Sequence, residues 1–232
     1  MKNVFLIPAG LLSAVLCIAC SQDIGEVVNT TDNNAFNLKS AVATVENKSN
    51  PFDSVGLDYR VLLSSYQSLD SSPGTVAEIS EIVSLLMGEK AVVSDPAMQV
   101  LLSGILSHPQ DSLISIFQDS GLSNDAKTVL SGFVANFYTL SLQPFPEAYN
   151  EILTIENAVN SSLSIPENDK RVILTVTSLA RYSLYHECCE DTDWDTSVGN
   201  IVAAIAGAIQ DRNLAIQYIL STRILQHEGV TF

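Results

Sequence analysis

From Val55 onward, apolar side chains recur three and four residues apart, the spacing that gathers them on one face of a helix. Val55, Tyr59, Leu62, Leu63 and Tyr66 make the first such stripe, and Asn50-Pro51 just before it sets a helix start. Ser71-Ser72-Pro73-Gly74 then reads as a turn. Thr75-Val76-Ala77-Glu78 restarts the pattern as a capping box: the Thr hydroxyl accepts from the third helical amide, and the Glu reaches back to the cap amide. Ile79, Ile82, Val83 and Leu86 form the buried stripe, and Gly88 ends it. Asp95-Pro96 predicts another start, Asp as cap and Pro at the first helical position. Val100, Leu101, Leu102 and Ile105 turn inward until His108-Pro109 stops that helix, with His108 a capping residue rather than a base.

A short helix follows over Asp111 to Phe117. Ser123 caps the next, whose Val129, Leu130, Phe133, Val134 and Phe137 give a wide apolar face. Gln143-Pro144-Phe145-Pro146 breaks it, and Glu147 to Val159 is helical again, with mixed faces that include Ile152 and Glu156. Ser164-Ile165-Pro166-Glu167 reads as a second capping box, ahead of a helix through Val172, Val176 and Leu179 toward His186. One last long helix is predicted from Asp195 or Thr196 to about Leu225. No alternating strand pattern and no fixed-period repeat stands out. The fold class is therefore all-α, a helical bundle or orthogonal helical domain of about six to eight helices over residues 51–232.

The first twenty residues follow a different rule. Lys2 gives a positive start. The apolar run Val4 to Ile7 and Leu11 to Leu16 leads to the small Ala19, and the chain turns polar at Ser21. This describes a secretory signal, with a core shorter than the about 20 apolar residues a membrane-spanning helix needs. The stretch resembles a bacterial lipoprotein signal. Ala19 fits the position before the cut and Cys20 the lipidated residue, while Cys17 stands where such signals usually carry Leu. The resemblance implies removal of residues 1–19 and attachment to a membrane through a diacylglycerol and an acyl chain such as palmitate on Cys20, since two chains anchor stably where one is marginal. The alternative is a plain secretory peptide with an incidental cysteine. Ser21 is compatible with outer-membrane sorting in lipoproteins of this kind, so the expected location is the cell envelope, at the outer membrane.

Residues 20–50 are polar and read as the lipidated N-terminus and a tether, reaching about 30 Å as a flexible chain. Leu38, Ala41, Val42 and Val45 also fit a short helix there. The stretch Asn50 to Tyr59, NPFDSVGLDY, resembles the start of helical, uncharacterised lipoproteins of the Bacteroidota. That likeness implies an envelope-bound helical domain and brings no catalytic residues.

Composition adds two limits. A hydrophobic share of 47% supports a packed core. With 26 acidic against 11 basic residues, the formal charge is −15, so nucleic-acid phosphates and anionic lipid surfaces repel the chain. Of four cysteines, Cys17 leaves with the leader and Cys20 takes the lipid. Cys188-Cys189 alone remain, with no disulfide framework.

Candidate chemistry gathers in His186 to Asp195. Asp191, Asp193 and Asp195 have the opening spacing of a calcium loop, but the Gly and Glu such a loop wants at its sixth and twelfth positions are Thr196 and Val202. A soft site on His186, Cys188 and Cys189 lacks a fourth ligand at zinc spacing. Three readings stand: an acidic loop with Asp193 or Asp195 capping the next helix, a divalent-cation site on the three aspartates, and a catalytic metal. Cys188 and Cys189 are a candidate redox pair. Neighbouring Cα atoms lie about 3.8 Å apart, closer than disulfides usually span, so two half-buried thiols or an intermolecular bridge are the alternatives. Gly199, Ala203 and Gly207 form a small-residue ridge that lets another helix come close, on an apolar run too short to span a bilayer. No Gly-x-Ser-x-Gly, phosphate loop, His-Glu-x-x-His or dinucleotide fingerprint occurs. The expected function is a lipid-anchored envelope protein, a non-enzymatic binding or structural module with an envelope protein as partner and no cofactor. The alternative is a divalent-metal-dependent enzyme or binding protein using the His186–Asp195 cluster.

Overall fold

The computed structural model describes residues 45–92 and 96–230. The expectations for the leader, for Cys20 and for Asp95 concern residues outside those described. Among the described residues there is no strand. They form nine α-helices and one 3₁₀ turn: α1 (Asp53–Gln67), α2 (Val76–Met87), the 3₁₀ turn Gly88–Lys90, α3 (Pro96–Ser107), α4 (Pro109–Asp119), α5 (Asn124–Ser141), α6 (Phe145–Ser161), α7 (Glu167–Cys189), α8 (Val198–Gln210) and α9 (Arg212–His227).

Three of these are enclosed on every side. All of α8 from Gly199 to Ala208 is buried, as is α9 from Leu214 to Leu225, and α7 over Val172 to Leu184. The other six pack around them with one buried stripe each, as amphipathic helices do. α1 lies along α7, α2 on α9, α3 and α4 on α8, and α6 on α7. One continuous apolar cluster runs through all nine. No helix among the described residues is long and apolar enough to cross a membrane.

The predicted last helix is two. The chain breaks at Asp211, which is extended (φ −155°, ψ 154°) and caps α9 by accepting from the Asn213 amide at 2.6 Å. Four polar residues, Gln210 to Asn213, exposed or half-buried, sit at the break between two buried arms, and the helical spacing resumes after them, which is why the two arms read as one helix. Gly207 makes the tight hairpin workable: a Cβ there would stand 2.5 Å from the Ala215 nitrogen and the Leu214 carbonyl. The close approach expected of the small-residue ridge is thus made at Gly207, against the very next helix.

Thr75 and Glu78 form the predicted capping box, and Ser123 caps α5. The second predicted box does not form. Pro166 is the N-cap of α7 and offers no side chain, which leaves Ser164 too far upstream, and Ser162 instead accepts from the Ser164 and Ile165 amides. His108 precedes α4 without a side-chain cap bond. In α3, Val100 faces solvent at 72% exposure, and Met98 takes the inward place beside Leu102 and Ile105. The folded part also begins earlier than residue 51. Val45, Asn47 and Asn50 are buried against α6 and α7, which shortens any tether.

Candidate functional site

Three places bear on function: the middle of α7, its C-terminal end, and a groove between α5 and α6.

In the middle of α7, Arg181 is fully buried and pairs with two carboxylates, Asp53 at the start of α1 and Glu156 of α6 at 3.3 Å. Burial works to lower the Arg181 pKa, but Glu156 and Asp53 outweigh it and the net shift is upward. Glu156 accepts from Asn47 Nδ2 at 2.5 Å, Asn50 Nδ2 at 2.8 Å and Thr177 Oγ1 at 3.0 Å. Tyr182 donates to Asp53 at 3.2 Å, and Arg181 also donates to the Val45 carbonyl. Burial, then Asp53, pushes the Tyr182 hydroxyl pKa up. Gly56 lets α1 sit this close, because a Cβ there would overlap Tyr182 and Ser178. The network joins three segments distant in sequence, residues 45–53, Glu156 and residues 177–182, and its polar atoms are nearly all used. It is a closed lock. The sequence holds its signal: Glu156 falls on the apolar stripe of α6 between Ile152 and Val159, a charge where the period demands a core residue.

The C-terminal end of α7 carries the predicted cluster. Cys188 and Cys189 are joined to each other by a disulfide, and both are exposed. His186 is buried, with Nε2 3.1 Å from Gln67 Oε1. Gln67 is oriented by donating from Nε2 to Asp191 Oδ2 at 3.0 Å, so its oxygen must accept, and this selects the Nε2–H tautomer of His186. Burial, aided by Arg223 and Arg60 and opposed by Asp191, pulls the His186 pKa down to about 4. The imidazole is therefore neutral at pH 7. Glu187 accepts from the Thr196 amide at 2.9 Å, and burial raises its pKa against that bond. Glu190 takes Nε (2.9 Å) and Nη2 of the buried Arg60.

Asp191, Asp193 and Asp195 are not gathered around a common point. Asp191 is held by Gln67 and by the Asp193 amide at 3.2 Å, and Asp193 and Asp195 face solvent. Among the described residues no group of three or more His, Cys, Asp or Glu side chains is placed to hold a metal ion. Nor does either aspartate cap α8. Ser197 does so, in a capping box with Asn200. Trp194 is buried, stacked on His227 with ring centroids 3.8 Å apart, and its carbonyl accepts from Arg223. A hollow of about 240 Å³ beside Cys188 is walled by Phe145, Leu184, Glu187, Thr192 and Asp195.

The third place carries no sequence-predicted site residue. A groove of about 670 Å³ lies between α5 and α6. Val129, Phe133, Leu140, Ile155 and Val159 supply its apolar wall, and Thr128, Asn136 and Ser162 its polar edge. Glu151 is its single charged lining residue. Gln143 bridges one end by donating to Glu151 at 3.0 Å, while its Oε1 is buried without a partner. The signal for this groove was the width of the apolar face of α5: Leu130, Val134 and Phe137 serve the core, while half-exposed Val129 lines the groove. The residues that line the groove include no histidine, cysteine or lysine and no pair of carboxylates.

No protein-family model matches the chain, no curated protein matches it, and no solved structure matches it.

Proposed function

We propose that this chain is a lipid-anchored protein of the cell envelope, held at the outer membrane through Cys20, whose helical domain is a binding module rather than an enzyme. The groove between α5 and α6 carries the binding half of this reading. Its volume of about 670 Å³ falls within the roughly 300–1,000 Å³ typical of small-molecule sites. An apolar wall with a few polar groups at the edge suits an amphipathic ligand with an apolar body. Glu151 and the unpartnered Gln143 oxygen favour a head that donates hydrogen bonds and is neutral or cationic. The envelope half rests on the leader and on Cys20.

Gly132 gives a direct test. It lines the groove, and a Cβ there meets nothing within 4 Å, so Gly132→Trp fills the groove without disturbing the core. The neutral fluorescent amine N-phenyl-1-naphthylamine should bind the wild-type domain, and the variant should lose at least about tenfold in affinity. Equal binding by both, or none by the wild type, overturns the groove reading. Separately, full-length chain expressed with an alkyne fatty acid should carry the label and sediment with membranes, and Cys20→Ala should lose both. An unlabelled, soluble wild type overturns the envelope reading.

A further inference from the structure

We infer that Cys188–Cys189 is a thiol–disulfide exchange site that accepts neutral and cationic thiols and turns away anionic ones. The inference does not depend on what the groove holds. It rests on three features that coincide at the end of α7. The two sulfurs are bonded to each other, and both residues are exposed, so an incoming thiol reaches them without any opening of the fold. The hollow beside Cys188 gives that thiol a place to sit. The charged side chains of the segment that carries the pair have one sign.

Cys189 is the last residue of α7, where the helix dipole is negative. Between Glu187 and Asp195 the chain carries five carboxylates and no lysine or arginine. Two of them, Glu187 and Asp195, wall the hollow itself. Of the cations beneath, Arg60 is paired with Glu190, and Arg223 is buried, donating to the Tyr59 hydroxyl and the Trp194 carbonyl, so neither presents its charge at the surface. His186 is buried and neutral. Reactive cysteines elsewhere sit in electropositive surroundings that stabilise the thiolate. On its solvent side this pair meets carboxylates instead, so selection acts on the charge of the attacking thiol.

The chemistry balances with thiols alone. A thiolate attacks Cys188 Sγ from the hollow, forming a mixed disulfide. The Cys188–Cys189 bond breaks, and Cys189 leaves as thiolate and takes a proton from water. A second thiolate then attacks the sulfur of the first reagent, releasing the oxidised reagent and Cys188 as a thiol. Two electrons pass from two thiols to the protein, and the reverse sequence re-forms the bond. A protein dithiol on a basic or uncharged surface meets the requirement. A small anionic thiol does not.

The test uses the folded wild-type protein and three probes: cysteamine, 2-mercaptoethanol and 3-mercaptopropionate. Their thiolates differ by one charge each. Rates of reduction are normalised to thiolate concentration and to the rate with an uncharged small disulfide. Cysteamine should react about tenfold faster than 3-mercaptopropionate, with 2-mercaptoethanol between. The spread should fall below about threefold in 1 M salt, where the screening length is near 3 Å. It should shrink likewise in Asp193→Asn/Asp195→Asn, which alters two exposed side chains. Equal or reversed rates overturn the inference. So do two free thiols counted on protein isolated under oxidising conditions.

Discussion

In the middle of α7, one arginine meets two carboxylates out of reach of water, and four further side chains close around them. At the C-terminal end of the same helix, five carboxylates crowd into nine residues, most in solvent, and only Glu190 meets an arginine directly. The same residue types have opposite consequences in the two places. Where water is excluded, a charge stays only if partners replace its hydration, and the result is rigid. Where water reaches, unpaired carboxylates cost little, so charge can accumulate and select what approaches. The first region holds the fold together. The second is free to do chemistry.

The largest test of that contrast is Arg181→Met. It leaves Asp53 and Glu156 facing each other inside the protein, with Glu156 fully buried. Breaking a buried pair from one side costs on the order of 3–5 kcal/mol. Urea unfolding should show a loss of that size, and the double variant Arg181→Met/Glu156→Gln should recover part of it. A single-variant loss below about 1 kcal/mol would mean that the network is not a lock.

Next comes His186, which sits where the two regions meet. Its folded-state pKa near 4 lies below the ordinary 6.5. As pH falls from about 6.5 toward 4, the unfolded chain takes up this proton before the folded chain does. Stability is therefore lost across that window and is constant, for this group, below it. The loss is on the order of 3 kcal/mol at most. Thermal melts at pH 7, 5.5 and 4.5 should show it, and His186→Gln should flatten the profile between 6.5 and 4. An unchanged slope in the variant would assign the acid sensitivity to the carboxylates instead.

How far these regions could be read from the chain follows from what each needs. The helices were legible because periodicity and punctuation agree: Thr75 with Glu78, Gly88, Ser123 and Pro109 all stand where the structure uses them. The Asp211 break is marked by four consecutive polar residues, Gln210 to Asn213, but helical spacing resumes beyond them and both arms are buried, so spacing alone reads as one long helix. The nine described helices exceed the expected six to eight through the separation of α8 from α9. The Arg181 network was hidden because its members are up to 136 residues apart, and only the misfit of Glu156 on an apolar stripe betrays it. The acidic cluster was visible at once, since its members are neighbours in sequence. Its lack of a shared focus was not, because spacing alone cannot say that Asp191 is taken by Gln67 from another helix. The groove required knowing that α5 and α6 stand side by side.

The smallest effect belongs to Glu190→Gln. Arg60 is buried, its pKa lowered by burial, but the Glu190 side chain is 20% exposed, so water shares the work of solvating the pair. Glutamine keeps an acceptor for one of the two Arg60 bonds, and Arg60 retains its contact with the face of Tyr185, 5.2 Å from the ring centroid. Pairs screened by solvent contribute roughly 0–1 kcal/mol, so the urea midpoint should move by an amount in that range. The variant also removes one carboxylate next to Cys189, and its spread of reduction rates among charged thiols should narrow slightly while the fold holds. A loss as large as that of Arg181→Met would place Glu190 inside the lock, and the two ends of the comparison would then be one structure. A small loss with a narrowed spread would locate the boundary between them at the end of α7, between His186 and the C-cap Glu190.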